Sequence, residues 1–341
     1  ADQQGQALAV MKDYRKSMVD ALGAGTLQNW DYYPLEDAQY SYTKQNLLDL
    51  LANVSVQYQF NQNLNATLNY QLQRQQTDVG RTDEAESYYT RNLVNSYTQL
   101  GGSSPKLIVP LGSILDQSNS ELLAHHLRGQ LNYQQQWAKH SINVLAGAEL
   151  LKSNTYNQIN TTYGFNPGTL TSVNMDLANV YPNLITGRSS FIPNRNGFSE
   201  TLRRNVSAFA NMAYTYASRY TLSLSARQDA SNLFGVRTND KWNPLWSGGL
   251  AWDVHRETFF TASWLDQLKL RATYGFSGNI NTAMAAVTTI SYSSTSPYTQ
   301  TPYAVFANYS NPELRWERVG TLNLGLDFQL FNRKLGGSLE Y

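Results

Sequence analysis

The 341-residue sequence sets 26 Lys and Arg against 25 Asp and Glu, a net charge of +1, and contains no cysteine. That balance gives no basic footprint for nucleic acid, and without cysteine there is neither a disulfide framework nor a thiolate metal site. No apolar run approaches the ~20 residues a membrane helix needs, which excludes a helical membrane protein but leaves a β-barrel open, because half of every barrel strand is polar.

The chain opens on ADQQGQALAV, with no charged start, apolar core or cleavage site, and ends within GGSLEY in mid-strand. It is therefore expected to be an internal piece of a longer protein. Residues 1 to about 52 are polar and Tyr-rich and predict an outer loop. NLLDLLANV, Asn46 to Val54, has leucines at helical spacing, but its end runs into alternation. Val54, Val56, Tyr58 and Phe60 oppose Ser55, Gln57 and Gln59. A turn at Asn61-Gln62-Asn63 leads to Leu64, Ala66, Leu68, Tyr70 and Leu72, with polar residues between, which predicts a hairpin.

From Gln73 to about Leu123 a connection is predicted that far exceeds the usual ~4–6 residues. A second hairpin follows: Leu127, Gly129, Leu131 and Tyr133, a turn at Trp137 to His140, then Ile142, Val144, Ala146 and Ala148. Another long loop, Lys152 to Leu202, is rich in turn residues. It delivers the chain to the stretch with the clearest pattern. There Val206, Ala208, Ala210, Met212, Tyr214 and Tyr216 share one face, against Ser207, Asn211 and Thr215. This is a period of two. After a turn at Ala217-Ser218-Arg219, Leu222, Leu224 and Ala226 repeat the pattern against Ser223, Ser225 and Arg227. A third run places Trp246, Gly248, Leu250 and Trp252 on one face.

Beyond Val254 the connection HRETFFTASWLDQ has room for one helical turn. Leu268, Leu270, Ala272, Tyr274 and Phe276 then alternate with polar partners. A loop from Ser277 to about Arg315 follows, then Leu322, Leu324, Leu326 and Phe328, a turn at Asn332-Arg333, and the start of one more strand. Short turns alternate with long polar loops, as they do between the two sides of an outer-membrane barrel. Tyr58, Phe60, Tyr133, Tyr216, Tyr220, Trp252, Phe328 and Phe331 fall beside the short turns, where an interfacial girdle belongs. The alternative for these rings is simple strand propensity.

RQDASNLFG at Arg227 to Gly235, followed by WNPLWSGGLAWDV at Trp242 to Val254, resembles the barrel signature of the SusC/RagA family of TonB-dependent outer-membrane transporters. LKLRATYGFSGN (Leu268 to Asn279), NPELRWE (Asn311 to Glu317) and SYYTRNLVNSYTQ (Ser87 to Gln99) fit the same pattern in the same order. Ala230 departs from it, at a position where the family more often carries glycine. The resemblance implies an all-β fold, an antiparallel transmembrane β-barrel in the outer membrane of a Bacteroidetes-like Gram-negative cell. Residues 1–341 would form a partial barrel domain with about ten strands of roughly 22, the plug domain and C-terminal strands lying outside it. It further implies energised import: a plug blocks the lumen, a TonB complex pulls on it, and a SusD-like surface lipoprotein lids the outer opening. Family cargo is mainly glycan, with peptide in some members. The rivals are a passive porin and a soluble β-sandwich binding module.

Candidate chemistry is thin. His125 and His126 are adjacent, so a strand points them to opposite faces, and no further ligand has metal spacing. Neither a metal nor a cofactor is expected. No nucleophile elbow, zinc helix or phosphate loop is present, GFSGN at Gly275 to Asn279 lacks the G-x-S-x-G spacing, and the acids Asp83, Glu84 and Glu86 read as solvated charge. An enzyme is not expected. Arg227, Asp229 and Asn232 are candidates for a ligand site at the barrel mouth; the alternative is that Arg227 and Asp229 pair across the lumen while Asn232 shapes a loop. Tyr181, Trp242, Tyr292, Tyr298, Tyr303 and Tyr309 offer flat ring faces to oligosaccharide or peptide, or else pack the loops on one another. The sequence leaves both pairs of alternatives open.

Overall fold

The computed structural model describes residues 4–22, 25–102, 104–232, 242–279, 286–296, 298–299, 301–311 and 317–341. Two short helices, α1 (Lys16–Ala21) and α2 (Pro34–Tyr40), precede β1 (Ser41–Gln59), β2 (Leu64–Asp83), α3 (Tyr88–Ser96), β3 (Ser113–Trp137) and β4 (His140–Phe165). The chain continues through β5 (Val180–Pro182), β6 (Ser189–Phe191), β7 (Gly197–Tyr216), β8 (Tyr220–Ser231), β9 (Trp242–Asp253) and β10 (Leu265–Ser277). It ends with β11 (Thr289–Thr295), β12 (Pro302–Asn308), β13 (Val319–Leu330) and β14 (Leu335–Glu340). Ten strands form one antiparallel sheet in the order β1-β2-β3-β4-β7-β8-β9-β10-β13-β14, while β5–β6 and β11–β12 are separate hairpins.

Register carries the alternation from strand to strand. Val144, Met212, Leu224 and Gly248 lie opposite one another along one row, and Leu145, Asn211, Ser225 and Ser247 along the next. From β4 to β9 these rows set a mainly apolar face against a mainly polar one. On the apolar face Val206, Leu224 and Leu250 are 42%, 44% and 65% exposed. A soluble sandwich would cover them with a second sheet, and among the described residues the strands outside the large sheet form only two small hairpins. The β-sandwich reading is therefore discarded.

Residues 60–63, 138–139, 217–219, 254–264 and 331–334 connect strands at one end of the sheet; the long connections lie at the other. At the tight end Asn61 Oδ1 accepts from the amides of Asn63 at 2.8 Å and Leu64 at 3.0 Å, and Ala217 and Ser218 take left-handed φ of 52° and 55°. The turn expected in HRETFFTASWLDQ is a single 3-10 turn at Val254–Arg256. An aromatic belt runs along this end. Trp137 stacks on His140 at 5.2 Å and Tyr220 on Trp252 at 6.3 Å, with Phe259 beyond it. Glu257 ties the belt to the turn, accepting from Arg219 at 3.0 Å and from Trp252 Nε1 at 3.1 Å.

The structure corrects several predicted boundaries. NLLDLLANV is not helical: the whole segment lies in β1, so the predicted outer loop ends at Tyr40 instead of about residue 52. The connection predicted from Gln73 to Leu123 narrows to residues 84–112, because β2 runs on to Asp83 and β3 starts at Ser113. Likewise the loop from Lys152 to Leu202 narrows to residues 166–196. The loop after Ser277 holds the β11–β12 hairpin, which the pattern did not predict.

The cause is length. A barrel strand crosses the hydrocarbon in ~9–11 residues, whereas β3 and β4 have 25 and 26. In the barrel that the resemblance implies, more than half of each projects past the bilayer, where both faces meet water or protein and the period-two signal fades.

Above these projecting strands the connections fold into a cap. Its core is Leu93, Val94, Tyr97, Val109, Ile114, Tyr163 and Ile192, bordered by Tyr89, Ile108, Met175, Leu177 and Tyr181. Ser87 caps α3, accepting from the Thr90 amide at 3.2 Å. The other side of α3 pins the segment before β1. Buried Asn95 accepts from the Gln28 amide at 2.8 Å and donates to its carbonyl at 2.9 Å, while Asn92 accepts from Trp30 Nε1 at 2.8 Å. The motif around Ser87 to Gln99 is thus the hub of the cap.

Candidate functional site at the loop end of the sheet

The predicted site residues separate into three places. Tyr181, in β5, borders the cap core, and its hydroxyl donates to Asp176. Asp176 also accepts from the amides of Ala178 at 2.9 Å and Asn179 at 3.2 Å, an Asx turn. The Tyr181 hydroxyl bond, followed by the Asn179 side chain and these amides, holds the carboxyl down at about 2. Because the folded value is depressed, the turn keeps its full support above the ordinary 3.8 and loses it as pH falls through about 2. Exchange protection of the Ala178 and Asn179 amides is expected to hold down to about pH 4 and to fall between about pH 4 and 2. Loss near neutral pH would assign the turn's stability to another group.

Tyr292, Tyr298, Tyr303 and Tyr309 belong to the β11–β12 hairpin and its flank. Tyr298, Tyr309 and Tyr292 are 94%, 80% and 76% exposed, and Phe306 stacks on Tyr309 at 5.5 Å. Residues 289–308 contain no charged side chain. Trp242 opens β9 opposite Ala230; its side chain lies outside the described residues, as do Leu233 to Gly235 and Pro312 to Trp316 of the two motifs.

The third place is the polar face of β3, β4, β7 and β8. Register sets Arg128, Glu149, Ser207 and Asp229 in one row, and Gln130, Gly147, Phe209 and Arg227 in the next. Arg227 Nε donates to Asp229 Oδ1 at 2.8 Å, and its Nη2 donates to Glu149 Oε2 at 3.1 Å and Ser207 Oγ at 2.9 Å. Arg128 Nη1 approaches the other Glu149 oxygen at 3.3 Å. Arg227 and Asp229 therefore pair along one strand, not across the lumen. Both guanidinium groups flank the Phe209 ring, 4.7 Å and 6.0 Å from its centroid. Phe209 lies flat against the wall because position 147 is glycine: a Cβ there would come within 2.4 Å of the Gly129 carbonyl and 2.6 Å of the ring.

Asn232 stays outside this cluster. It extends the β7–β8 pairing, accepting from the Arg204 amide at 2.8 Å and donating its side chain to the Leu202 carbonyl at 2.8 Å. His125 bonds the Tyr70 hydroxyl at 2.8 Å, whereas His126 occupies the opposite face. Among the described residues no group of three His, Asp or Glu side chains is placed to hold a metal ion. Sequence reasoning found Arg227 and Asp229 but missed Arg128, Glu149, Ser207 and Phe209. Arg128, Glu149 and Ser207 belong to the polar alternating set, Phe209 breaks that set's pattern, and only register joins the four.

The sequence profile described as "TonB dependent receptor-like, beta-barrel" matches residues 10–341. TonB-dependent receptor P3 of Formosa agariphila is 30% identical over 215 residues, covering 62% of this chain and 20% of that protein. TonB-dependent receptor SusC of Bacteroides thetaiotaomicron is 29% identical over 142 residues, covering 40% and 14%. Among solved structures the RagAB peptide importer in its closed-closed state superposes with a TM-score of 0.70 at 16% identity, covering 90% of this chain and 31% of that one. The chain thus matches about a fifth of P3's length, and at that identity the RagAB likeness speaks to the fold alone.

Proposed function

The chain belongs to the TonB-dependent receptor-like β-barrel family and forms part of an outer-membrane barrel wall, and from that premise we propose that the whole protein imports oligomeric nutrients, glycans in the first place. In this reading a plug domain outside residues 1–341 closes the lumen, a TonB complex moves it, and a SusD-like surface lipoprotein covers the outer mouth. The apolar face meets lipid and the polar face lines the path. Nothing in the family's receptor and transporter role calls for bond-breaking chemistry by this wall.

The observation that carries the glycan reading is the β11–β12 hairpin. It raises exposed Tyr rings at the loop end of the wall on a segment with hydroxyl and amide side chains and no charge. Flat apolar rings beside neutral donors and acceptors suit the mixed faces of a sugar, while charged peptide groups would find no counter-ion there. Uptake by the full-length transporter in its host tests this. Oligosaccharide uptake is expected to require the TonB complex and to fall several-fold when Tyr292 and Tyr298 are both replaced by Ala, in keeping with roughly 1 kcal/mol per aromatic contact. Uptake that persists without the complex would mean a passive porin. TonB-dependent uptake of peptides alone would replace glycan by peptide.

A further inference from the structure

Beside the Arg227 cluster, on the lumen face of β4, β7 and β8, opens a cavity of about 370 Å³ whose rim adds His126 and Asn205. We infer that this cavity is a subsite in the barrel wall for one neutral, polyhydroxylated unit of the cargo, a sugar ring and not a charged amino-acid side chain. The inference rests on the importer reading and specifies which surface inside the barrel the cargo meets.

Size comes first: the volume falls within the ~300–1,000 Å³ of small-molecule sites. Charge is the stronger argument. Arg128 and Arg227 are matched by Glu149 and Asp229, and each carboxylate already holds a guanidinium at 2.8–3.3 Å. Glu149 and Asp229 side chains are only 15% and 14% exposed. An ionic ligand would have to take one of these partners and leave a desolvated charge behind. A hydroxyl donates and accepts at once, so it can bridge a free carboxylate lone pair and a neighbouring N–H without opening any ion pair.

The site also has donors and order in place. Asn205 and Ser207 line the opening beside Arg227. Phe209, held flat over Gly147, lies 4.7 Å and 6.0 Å from the two guanidinium groups, and the bonds from Arg227 to Asp229, Glu149 and Ser207 hold its plane before any ligand arrives. A preorganised polar surface spends little of its binding energy on ordering itself. Its height fits a role in the path: Asp229 lies two positions from the end of β8 at Ser231, on the outer part of the wall.

The test uses the full-length transporter in its own outer membrane. Asn205→Phe fills the cavity and leaves the arginine–carboxylate bonds alone. Probes are neutral oligosaccharides with glucan, xylan, mannan and galactan backbones, uronate-containing oligosaccharides, and a tryptic casein digest. Uptake of at least one neutral oligosaccharide is expected, dropping tenfold or more in Asn205→Phe while the level and heat-modifiable migration of the barrel stay unchanged. Equal uptake by variant and wild type overturns the inference, as does uptake confined to uronates or peptides, or a loss that strikes all classes equally. Vancomycin leakage with unchanged oligosaccharide binding would make the cluster a plug contact and also overturn it. Should Asn205→Phe fail to assemble, Glu149→Gln, which removes Arg128's carboxylate partner and leaves Arg227 with Asp229 alone, is expected to shift preference toward uronates several-fold; an unchanged preference is then the negative result. Wild-type uptake that needs no TonB complex would refute the importer reading itself and is distinguishable from each of these.

Discussion

Leu224→Arg is expected to destabilise the full-length barrel in lipid by about 2–4 kcal/mol, whereas Ser225→Arg, one residue along, is expected to cost less than about 1 kcal/mol. Leu224 lies between Met212 of β7 and Gly248 of β9 on the apolar face, four residues beyond the Tyr220–Trp252 stack that marks the interface. At about 3.3 Å per residue and a strand tilt near 40°, that places it roughly 10 Å into the hydrocarbon. An Arg there meets acyl chains and cannot reach water without distorting the bilayer. Ser225, in contrast, sits among Asn211 and Ser247 on the lumen face, where a guanidinium remains hydrated. Refolding titrations in lipid vesicles measure both penalties. Equal costs, or the reverse order, would mean the faces are assigned the wrong way round.

Ile192→Ala is expected to cost about 2–5 kcal/mol, the range for truncating a fully buried aliphatic side chain, but to spend it in the cap and spare the barrel. Ile192 is 1% exposed and packs with Leu93, Val94 and Tyr163. Its neighbours are held from both sides: Tyr97 donates to the Phe191 carbonyl at 3.1 Å and Tyr163 to the Pro193 carbonyl at 2.6 Å. The cap and the wall are stabilised by different means, side-chain burial in one and strand pairing within lipid in the other. Each can open separately. Limited proteolysis should therefore nick residues 84–112 and 166–196 in the variant while heat-modifiable migration persists. Simultaneous loss of both would show that they fold as one unit.

The two predictions divide along the line between what was legible in the sequence and what was not. Within the bilayer each strand has lipid on one side and water on the other, and two solvents impose two residue alphabets. That is why Val206 to Tyr216, Tyr220 to Ala226 and Trp246 to Trp252 declare both strand and face in the sequence, while Val254, next in the alternation, already belongs to the 3-10 turn. Past the bilayer that contrast disappears. RQQTDVGRTD at the end of β2 and NTYNQINTTY near the end of β4 are polar on both faces, and their strands were mistaken for loop. The α3 hub was visible as the motif SYYTRNLVNSYTQ, but its partners Gln28, Trp30 and Ile192 lie far off in the chain and gave no local signal.

By itself, then, the sequence determined the alternating faces, the short turns gathered at one end with their aromatic belt, and through its motifs the family. A period-two pattern between unlike solvents is a local property and can be read residue by residue. Only the tertiary structure decided how far β2, β3 and β4 rise above the membrane, that residues 84–112 and 166–196 close on a shared core, and that Arg128, Glu149, Ser207, Arg227 and Asp229 become neighbours. Those outcomes depend on the pairing register of four strands and on contacts between distant segments, and a one-residue slip would turn every member of the cluster to the opposite face.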